Sequence, residues 1–196
     1  EMESIDMGGE DNRKITGYDH EWGLRSFFGR INYDFNDRYL LEVNGRWDGS
    51  SRFTGSGVYA FFPSPSAARR ISQESFWDKE RWFISDLKIR ASWGQTGNQA
   101  IPLYEFYPAL VSSDYTYNNE VEPGYIQKKM SNPDLTWETT TQTDIGLDAY
   151  LLDSRMSLTF DYYNKMTDGI LLTLPIPGVI GLEAPLQNAG SVLNRG

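Results

Sequence analysis

The chain has 196 residues, contains no cysteine and carries a formal net charge of -9 at pH 7. The lack of cysteine excludes a disulfide framework and a thiolate metal site, and the acidic balance argues against nucleic acid as a partner, because phosphate binding needs a basic surface. No stretch approaches the roughly 18–20 apolar residues of a transmembrane helix, but a transmembrane strand needs only about 9–11 residues, half of them apolar.

The first strongly patterned segment is a predicted β-hairpin. Apolar and polar residues alternate from Arg25 to Phe35 and again from Arg38 to Asp48, and Asn36 and Asp37 between them favour a tight turn. One face of this hairpin is apolar, with Ile31, Tyr33, Phe35, Leu41, Val43 and Trp47. The other face carries charges and amides, with Arg30, Asn32, Asp34, Glu42, Asn44 and Arg46. Alternation by itself leaves open what each face meets.

The later segments repeat this pattern and predict four more strands, over Val58–Ile71, Ser85–Gly94, Thr136–Leu151 and Met156–Asp168. The polar row continues with Lys88, Arg90, Gln142 and Asp144. The apolar row continues with Leu87, Ile89, Leu147, Leu158 and Phe160. The longest connection, Gln95–Leu135, is rich in Tyr, Asn, Pro and Ser, and we expect it to be irregular, like the final loop Gly169–Ala189.

The lengths of the strands and connections favour a membrane barrel. The predicted strands have about ten or more residues, whereas strands of soluble proteins usually have about 5–6. Short connections alternate with long ones, as in outer-membrane barrels, and aromatic residues near the strand ends would form the two interfacial girdles. These are Tyr33, Phe35 and Tyr39 beside a short turn, and Trp47, Trp93 and Trp137 near long loops. A soluble all-β barrel or sandwich with the apolar face inward is the alternative.

Five stretches of the sequence resemble one protein family. They read FFGRINYDFNDRYLLEVNGRWDGSSRF, FFPSPSAARRISQESF, ISDLKIRASWGQTGNQAI, NPDLTWETTTQTDIGLDAYLLDSRMSLTFDYYNKMTDGILL and NAGSVLNRG. In this order they are similar to the barrel of SusC/RagA-type TonB-dependent outer-membrane transporters of Bacteroidota-type bacteria. The resemblance covers nearly all of Phe27–Gly196 and little of residues 1–20.

The resemblance implies an all-β, antiparallel, up-and-down transmembrane barrel of about 22 strands, closed by an N-terminal plug. Residues 21–196 would supply about six or seven consecutive strands, and residues 1–20 an irregular loop on the extracellular side. The plug and the signal peptide are expected to lie outside this fragment. The polar row would face the lumen, and the apolar row would face outer-membrane lipid.

The resemblance also implies a function in the outer membrane of a Gram-negative bacterium. Members of the family import large nutrients, mostly glycans and sometimes peptides, with a SusD-like surface lipoprotein as a lid. The TonB complex, which contacts the plug region, supplies the energy. The residues alone leave a soluble carbohydrate-binding module as the alternative, and no enzymatic activity is expected.

Two residues of the third strand depart from the family's pattern. Pro65 stands where a valine is usual, and it would remove one ladder hydrogen bond from an interior strand. Arg69 stands where an aromatic is usual, on the apolar row. A lipid-facing arginine costs about 2–4 kcal/mol at mid-membrane, but Arg69 lies close enough to a short connection to reach the lipid headgroups.

No group of residues predicts catalysis or a cofactor. His20 is the one histidine and lies in an irregular segment. Asp144 and Asp148 share a strand face about 13 Å apart, whereas retaining glycosidases need about 5–5.5 Å between their carboxyl groups. The acidic runs Glu1–Asp11 and Asp114–Tyr125 lack regular calcium-ligand spacing, so calcium in extracellular loops stays a minor alternative.

The aromatic residues of the long connection are the candidate ligand contacts. They could stack on sugar rings and offer hydroxyl groups, or they could pack loop on loop or against the lid lipoprotein. These residues are Tyr104, Phe106, Tyr107, Tyr115, Tyr117 and Tyr125.

Overall fold

A computed structural model describes residues 17, 19–78 and 83–196. Within these ranges the chain forms eleven strands and three short 3-10 turns, the turns being Gly55–Gly57, Ile71–Gln73 and Gly178–Ile180. The strands are β1 (Leu24–Phe35), β2 (Tyr39–Ser50), β3 (Tyr59–Arg70), β4 (Ile84–Asn98), β5 (Leu110–Tyr117), β6 (Glu120–Gln127), β7 (Glu138–Leu151), β8 (Met156–Asp168), β9 (Leu171–Thr173), β10 (Leu186–Asn188) and β11 (Ser191–Arg195). In the part of the chain described, no helix is long and apolar enough to cross a membrane.

Seven strands form one antiparallel sheet in the order β1-β2-β3-β4-β7-β8-β11. Strands that follow each other in the chain pair with each other, except where the β5–β6 hairpin and the β9–β10 pair are inserted as separate two-stranded sheets. This meander confirms the prediction of an all-β, up-and-down barrel segment. The six predicted strands are all present, and β11 is the seventh.

The register of the sheet places most polar residues on one face and most apolar residues on the other. Arg30 lies opposite Asn44, and Ile31 lies opposite Val43. The pairing of β2 with β3, β3 with β4 and β4 with β7 keeps the same assignment of residues to the two faces. On β7, Asp144 lies opposite Ser92, and Leu147 lies opposite Ile89. The sheet therefore has a polar face, which holds the whole predicted polar row, and an apolar face, which holds the whole predicted apolar row.

The sheet's short turns use backbone conformations with positive φ. Asn36 and Asp37 have φ values of 54° and 55°, and the Arg38 amide donates a 3.0 Å hydrogen bond to the carbonyl of Phe35. Asparagine and aspartate tolerate this region better than other non-glycine residues, which is why they favour such turns. The predicted turn at Leu152–Arg155 is also confirmed, since Arg155 donates to the Leu152 carbonyl over 3.2 Å.

A small hydrophobic core covers the polar face at the rim of the long connections. It consists of Phe53, Phe62, Ile101, Leu135 and Trp137. The Trp137 ring centroid lies 5.3 Å from that of Phe53 and 5.6 Å from that of Phe62. Trp137 is only 7% exposed, so its prediction as a member of the interfacial girdle is wrong. It precedes β7, and the loop turns its ring inward.

The long connection Gln95–Leu135 is not wholly irregular, contrary to prediction. β4 continues through this region as far as Asn98, and β5 and β6 then form a regular hairpin. Asn118 and Asn119 form its turn, with φ values of 51° and 65°. The final loop Gly169–Ala189 likewise contains β9 and β10.

Pro65 lies at a position of β3 where a missing N–H is tolerated. It faces Val43 on β2, while the pairing of β3 with β4 begins at Ser66 and Ser92 and runs towards Arg70. Pro65 is therefore one residue beyond the end of the β3–β4 ladder. A proline at that place costs less than in the middle of two ladders.

Candidate functional site

The centre of the polar face is an ion-pair network that spans three strands. Arg90 on β4 lies 3.2 Å from Asp148 on β7 and 2.5 Å from Asp161 on β8. A Cβ atom at Gly146 would lie 2.5 Å from Arg90 Cζ and 2.6 Å from Asp161 Oδ1. The glycine thus leaves the space through which the guanidinium crosses β7. Asp144 is held nearby by the Gln142 amide, which donates to it over 3.0 Å.

A second network orders the polar residues of β1 and β2. Arg30 Nε donates to Asn44 Oδ1 over 2.8 Å, and the Asn44 amide donates to Glu42 Oε1 over 2.6 Å. Arg46 Nε donates to Asp48 Oδ1 over 2.7 Å. Asp48 is only 5% exposed. This buried carboxylate therefore holds the Nε edge of the Arg46 guanidinium in place.

Cavities open on the polar face in front of these networks. One of about 500 Å³ is lined in part by polar-row residues, namely Asn32, Asp34, Glu42, Lys88, Arg90 and Asp144, and otherwise by serine and apolar residues of the same strands. Another, of about 840 Å³, lies nearer the long-loop rim and is bounded by β1, β2 and the end of β4. The polar face therefore carries recesses between the side chains of β1 to β4.

The predicted aromatic contacts do not form one site. Tyr115 and Tyr117 lie on one face of the β5–β6 hairpin, opposite Glu122 and Glu120, whereas Tyr125 lies opposite Ser112 and so on the other face. The remaining three lie in the loop before the hairpin. The Tyr104 hydroxyl is 3.5 Å from the Glu21 carbonyl. The ring centroids of Phe106 and Tyr107 are 4.4 Å apart. Sequence spacing did not separate the two faces because the strands themselves were not predicted.

Arg69 is bound within the protein, which the sequence did not reveal. Its Nε and Nη2 donate to Glu74 Oε1 over 2.9 and 2.6 Å, and the Tyr39 hydroxyl donates to the same oxygen over 2.9 Å. The guanidinium also lies 5.3 Å from the centroid of the Tyr39 ring. The Arg69 side chain is still 51% exposed, so its reach to the lipid headgroups remains a prediction. The hydrogen bonds from Arg69 and then Tyr39 hold the pKa of Glu74 below its usual range.

Over residues 17, 19–78 and 83–196, no three His, Asp or Glu side chains converge to hold a metal ion. The calcium alternative at Asp114–Tyr125 remains a prediction, and Glu1–Asp11 lies outside the described residues. So does most of the segment 1–20, whose predicted extracellular loop remains untested.

An antiparallel meander of long strands with one polar and one apolar face, short turns at one rim and long loops at the other is the architecture of a transmembrane β-barrel wall. The comparison with known families agrees. Residues 5–196 match the family model "TonB dependent receptor-like, beta-barrel". The chain belongs to this family, whose members are outer-membrane proteins of Gram-negative bacteria.

Two TonB-dependent receptors are similar in sequence to this chain. TonB-dependent receptor P26 of Formosa agariphila is 44% identical over 188 residues, which cover 95% of this chain and 19% of that protein. TonB-dependent receptor SusC of Bacteroides thetaiotaomicron is 37% identical over 199 residues, covering 94% of this chain and 19% of SusC. The chain therefore spans about a fifth of the length of these relatives.

Solved structures give the same result. The RagAB peptide importer in its open-open state matches with a TM-score of 0.82 and 29% identity, over 96% of this chain and 20% of the other. A structure of the RagAB peptide transporter matches with a TM-score of 0.80 and 30% identity, over 94% and 20%. These similarities confirm the predicted resemblance to SusC/RagA-type proteins.

Proposed function

We propose that the protein containing this chain imports a large nutrient through the outer membrane of a Gram-negative bacterium, with energy from the TonB complex. Family membership and the similarity to SusC and RagAB support this proposal. The observation that carries it is the separation of faces, because one continuous wall offers an apolar surface to lipid and a polar surface to a lumen.

In this proposal the polar row faces the lumen and the apolar row faces lipid. The apolar side chains remain open on the described sheet: Ile31 is 71% exposed and Phe160 63%. A soluble carbohydrate-binding module would bury such a face in its core. We therefore favour the transporter over the soluble module, and the family gives no reason to expect an enzyme.

We infer that the nutrient is an oligosaccharide, with a peptide as the competing class. Amide, hydroxyl and guanidinium groups line the polar face, and they suit the hydroxyl groups of a glycan as donors. The RagAB structures, in contrast, are of a peptide importer. TonB would act through the plug region. A SusD-like lipoprotein would serve as partner, and the exposed aromatics Tyr115 and Tyr117 are candidate contacts with it or with the ligand.

Growth of a strain that lacks the parent gene tests the proposal. On a panel of glycans and peptides as sole nutrients, we expect loss of growth on one glycan class and its recovery on complementation with the whole gene. Collapse of the proton gradient should abolish uptake of the same nutrient. Unchanged growth on every nutrient of the panel would contradict import, and loss on peptides alone would contradict the oligosaccharide.

A further inference from the structure

Phe28 is an exception to the alternation of the sheet. It lies on the polar face, 86% exposed, on the wall of the cavity of about 840 Å³ near the long-loop rim. This volume lies within the roughly 300–1,000 Å³ of small-molecule sites. An aromatic ring so exposed on a polar face gains nothing from burial within the described chain. Within the described chain, this ring is left uncovered at the wall of the cavity.

Two arginines flank this ring on the same face. Arg46 lies directly opposite Phe28 on β2, and Arg30 is two residues along β1. Because opposite residues and residues i and i+2 of a strand are about 5–7 Å apart, both guanidinium groups can reach a molecule that lies on the ring. Both arginines also line the same cavity.

The two arginines are held in the same way. Each donates through Nε to a neighbour on β2, Arg30 to Asn44 over 2.8 Å and Arg46 to Asp48 over 2.7 Å. The side chains nevertheless remain 64% and 54% exposed. One edge of each guanidinium is thus fixed to the wall while much of the group is open to the cavity. A donor held in place before binding loses less conformational entropy when a ligand arrives.

We propose that Phe28, Arg30 and Arg46 form a lumenal subsite for a carboxylate-bearing sugar, a proposal that rests on the oligosaccharide import proposed above. The planar guanidinium matches a carboxylate geometrically and forms charge-assisted hydrogen bonds with it. The apolar C–H face of the pyranose packs on the Phe28 ring. Asn98, the last residue of β4, and Gln99, which follows it, line the same cavity with their amides and bind the hydroxyl groups.

Binding to the purified full-length protein in detergent tests the subsite. The probes are oligogalacturonate and oligomannuronate, each with its methyl ester, which keeps the sugar but removes the charge. We expect wild type to prefer the acids. Arg30→Gln combined with Arg46→Gln should weaken acid binding at least about tenfold, because charge-assisted bonds are lost, and leave ester binding unchanged. Phe28→Leu should weaken both.

Lys88→Gln combined with Lys165→Gln is the matched control, since it also removes two positive charges from the polar face, outside this cavity. It should bind all probes as wild type does. Equal binding of acid and ester by wild type, an equal loss in the control, or tighter binding of an acidic peptide of the same charge would overturn the subsite. Growth of the deletion strain separates the two proposals: if growth on a neutral glycan requires the gene while the arginine variants behave as wild type, only the subsite fails.

Discussion

Arg90 on β4 pairs with Asp161 on β8, although β7 lies between them. The register aligns Arg90, Gly146 and Asp161 in one row across the sheet. Neighbouring strands are about 4.7–4.9 Å apart, so a side chain that crosses one needs a residue without a Cβ beneath it. The network on the polar face therefore depends on a glycine as much as on its charges.

We expect Gly146→Ala to destabilise the barrel by about 1–3 kcal/mol, because the new methyl group would displace the Arg90 guanidinium or the Asp161 carboxylate. The thermal unfolding transition of the full-length protein measures this effect. Gly29→Ala is the matched control, as a Cβ there would meet nothing within 4 Å. An equal loss of stability in both variants would contradict the role given to Gly146.

The assignment of the two faces predicts opposite results for two adjacent residues of β8. Phe160→Arg would place a charge in the lipid, at a cost of about 2–4 kcal/mol near mid-membrane, and should reduce the amount of assembled protein in outer-membrane fractions. Thr159→Arg would place the same charge opposite Asp148 on the polar face and should assemble normally. The reverse order of tolerance would overturn the assignment.

The contact of Glu74 with Arg69 and Tyr39 predicts a response to acid. Because the folded pKa of Glu74 is lowered, its contribution to stability is complete above the unfolded pKa of about 4.3 and is lost as pH falls through the lower folded value. Glu74→Gln should therefore unfold at lower temperature than wild type at neutral pH, with a difference that shrinks in acid. Glu120→Gln, in the β5–β6 hairpin, should show no such change. A Glu74→Gln difference that is constant with pH would contradict the ionic pairing.

The core at the long-loop rim predicts a local effect of Trp137. Trp137→Ala would leave a cavity between Phe53 and Phe62, and such truncations cost about 3–5 kcal/mol in well-packed cores. We expect faster proteolytic cleavage in residues 51–58 and 99–137 of the folded protein, while the strands remain resistant. Trp93→Ala, on the apolar face, is the comparison and should leave those loops protected.

The sequence predicted the wall well because its six predicted strands largely follow one simple rule. A period of two places Arg30 and Asn44 on one face and Ile31 and Val43 on the other, and a hairpin turn then fixes the register. The rule needs no knowledge of distant contacts. The family resemblance added the order of the strands and the expected lumen.

What the sequence could not predict depends on contacts between segments that lie far apart in the chain. Trp137 continues the alternation of β7, and only the nearby Phe53 and Phe62 show that its ring is buried. Arg69 reads as a charge in lipid until Glu74 folds back against it. The β5–β6 hairpin could have been predicted from the sequence, because Asn118 and Asn119 favour a positive-φ turn. The surrounding Pro and Ser residues suggested a loop instead.

The separate pairing of β5 with β6 has a mechanical consequence. Its ladder runs from Leu110–Gln127 to Tyr117–Glu120 and includes no strand of the wall. The core around Trp137, by contrast, ties the neighbouring connections to β3. A displacement of the hairpin would thus break no hydrogen bond of the seven-stranded ladder, and the contacts that it would strain lie at its base, where Lys128 is 3.0 Å from Glu183.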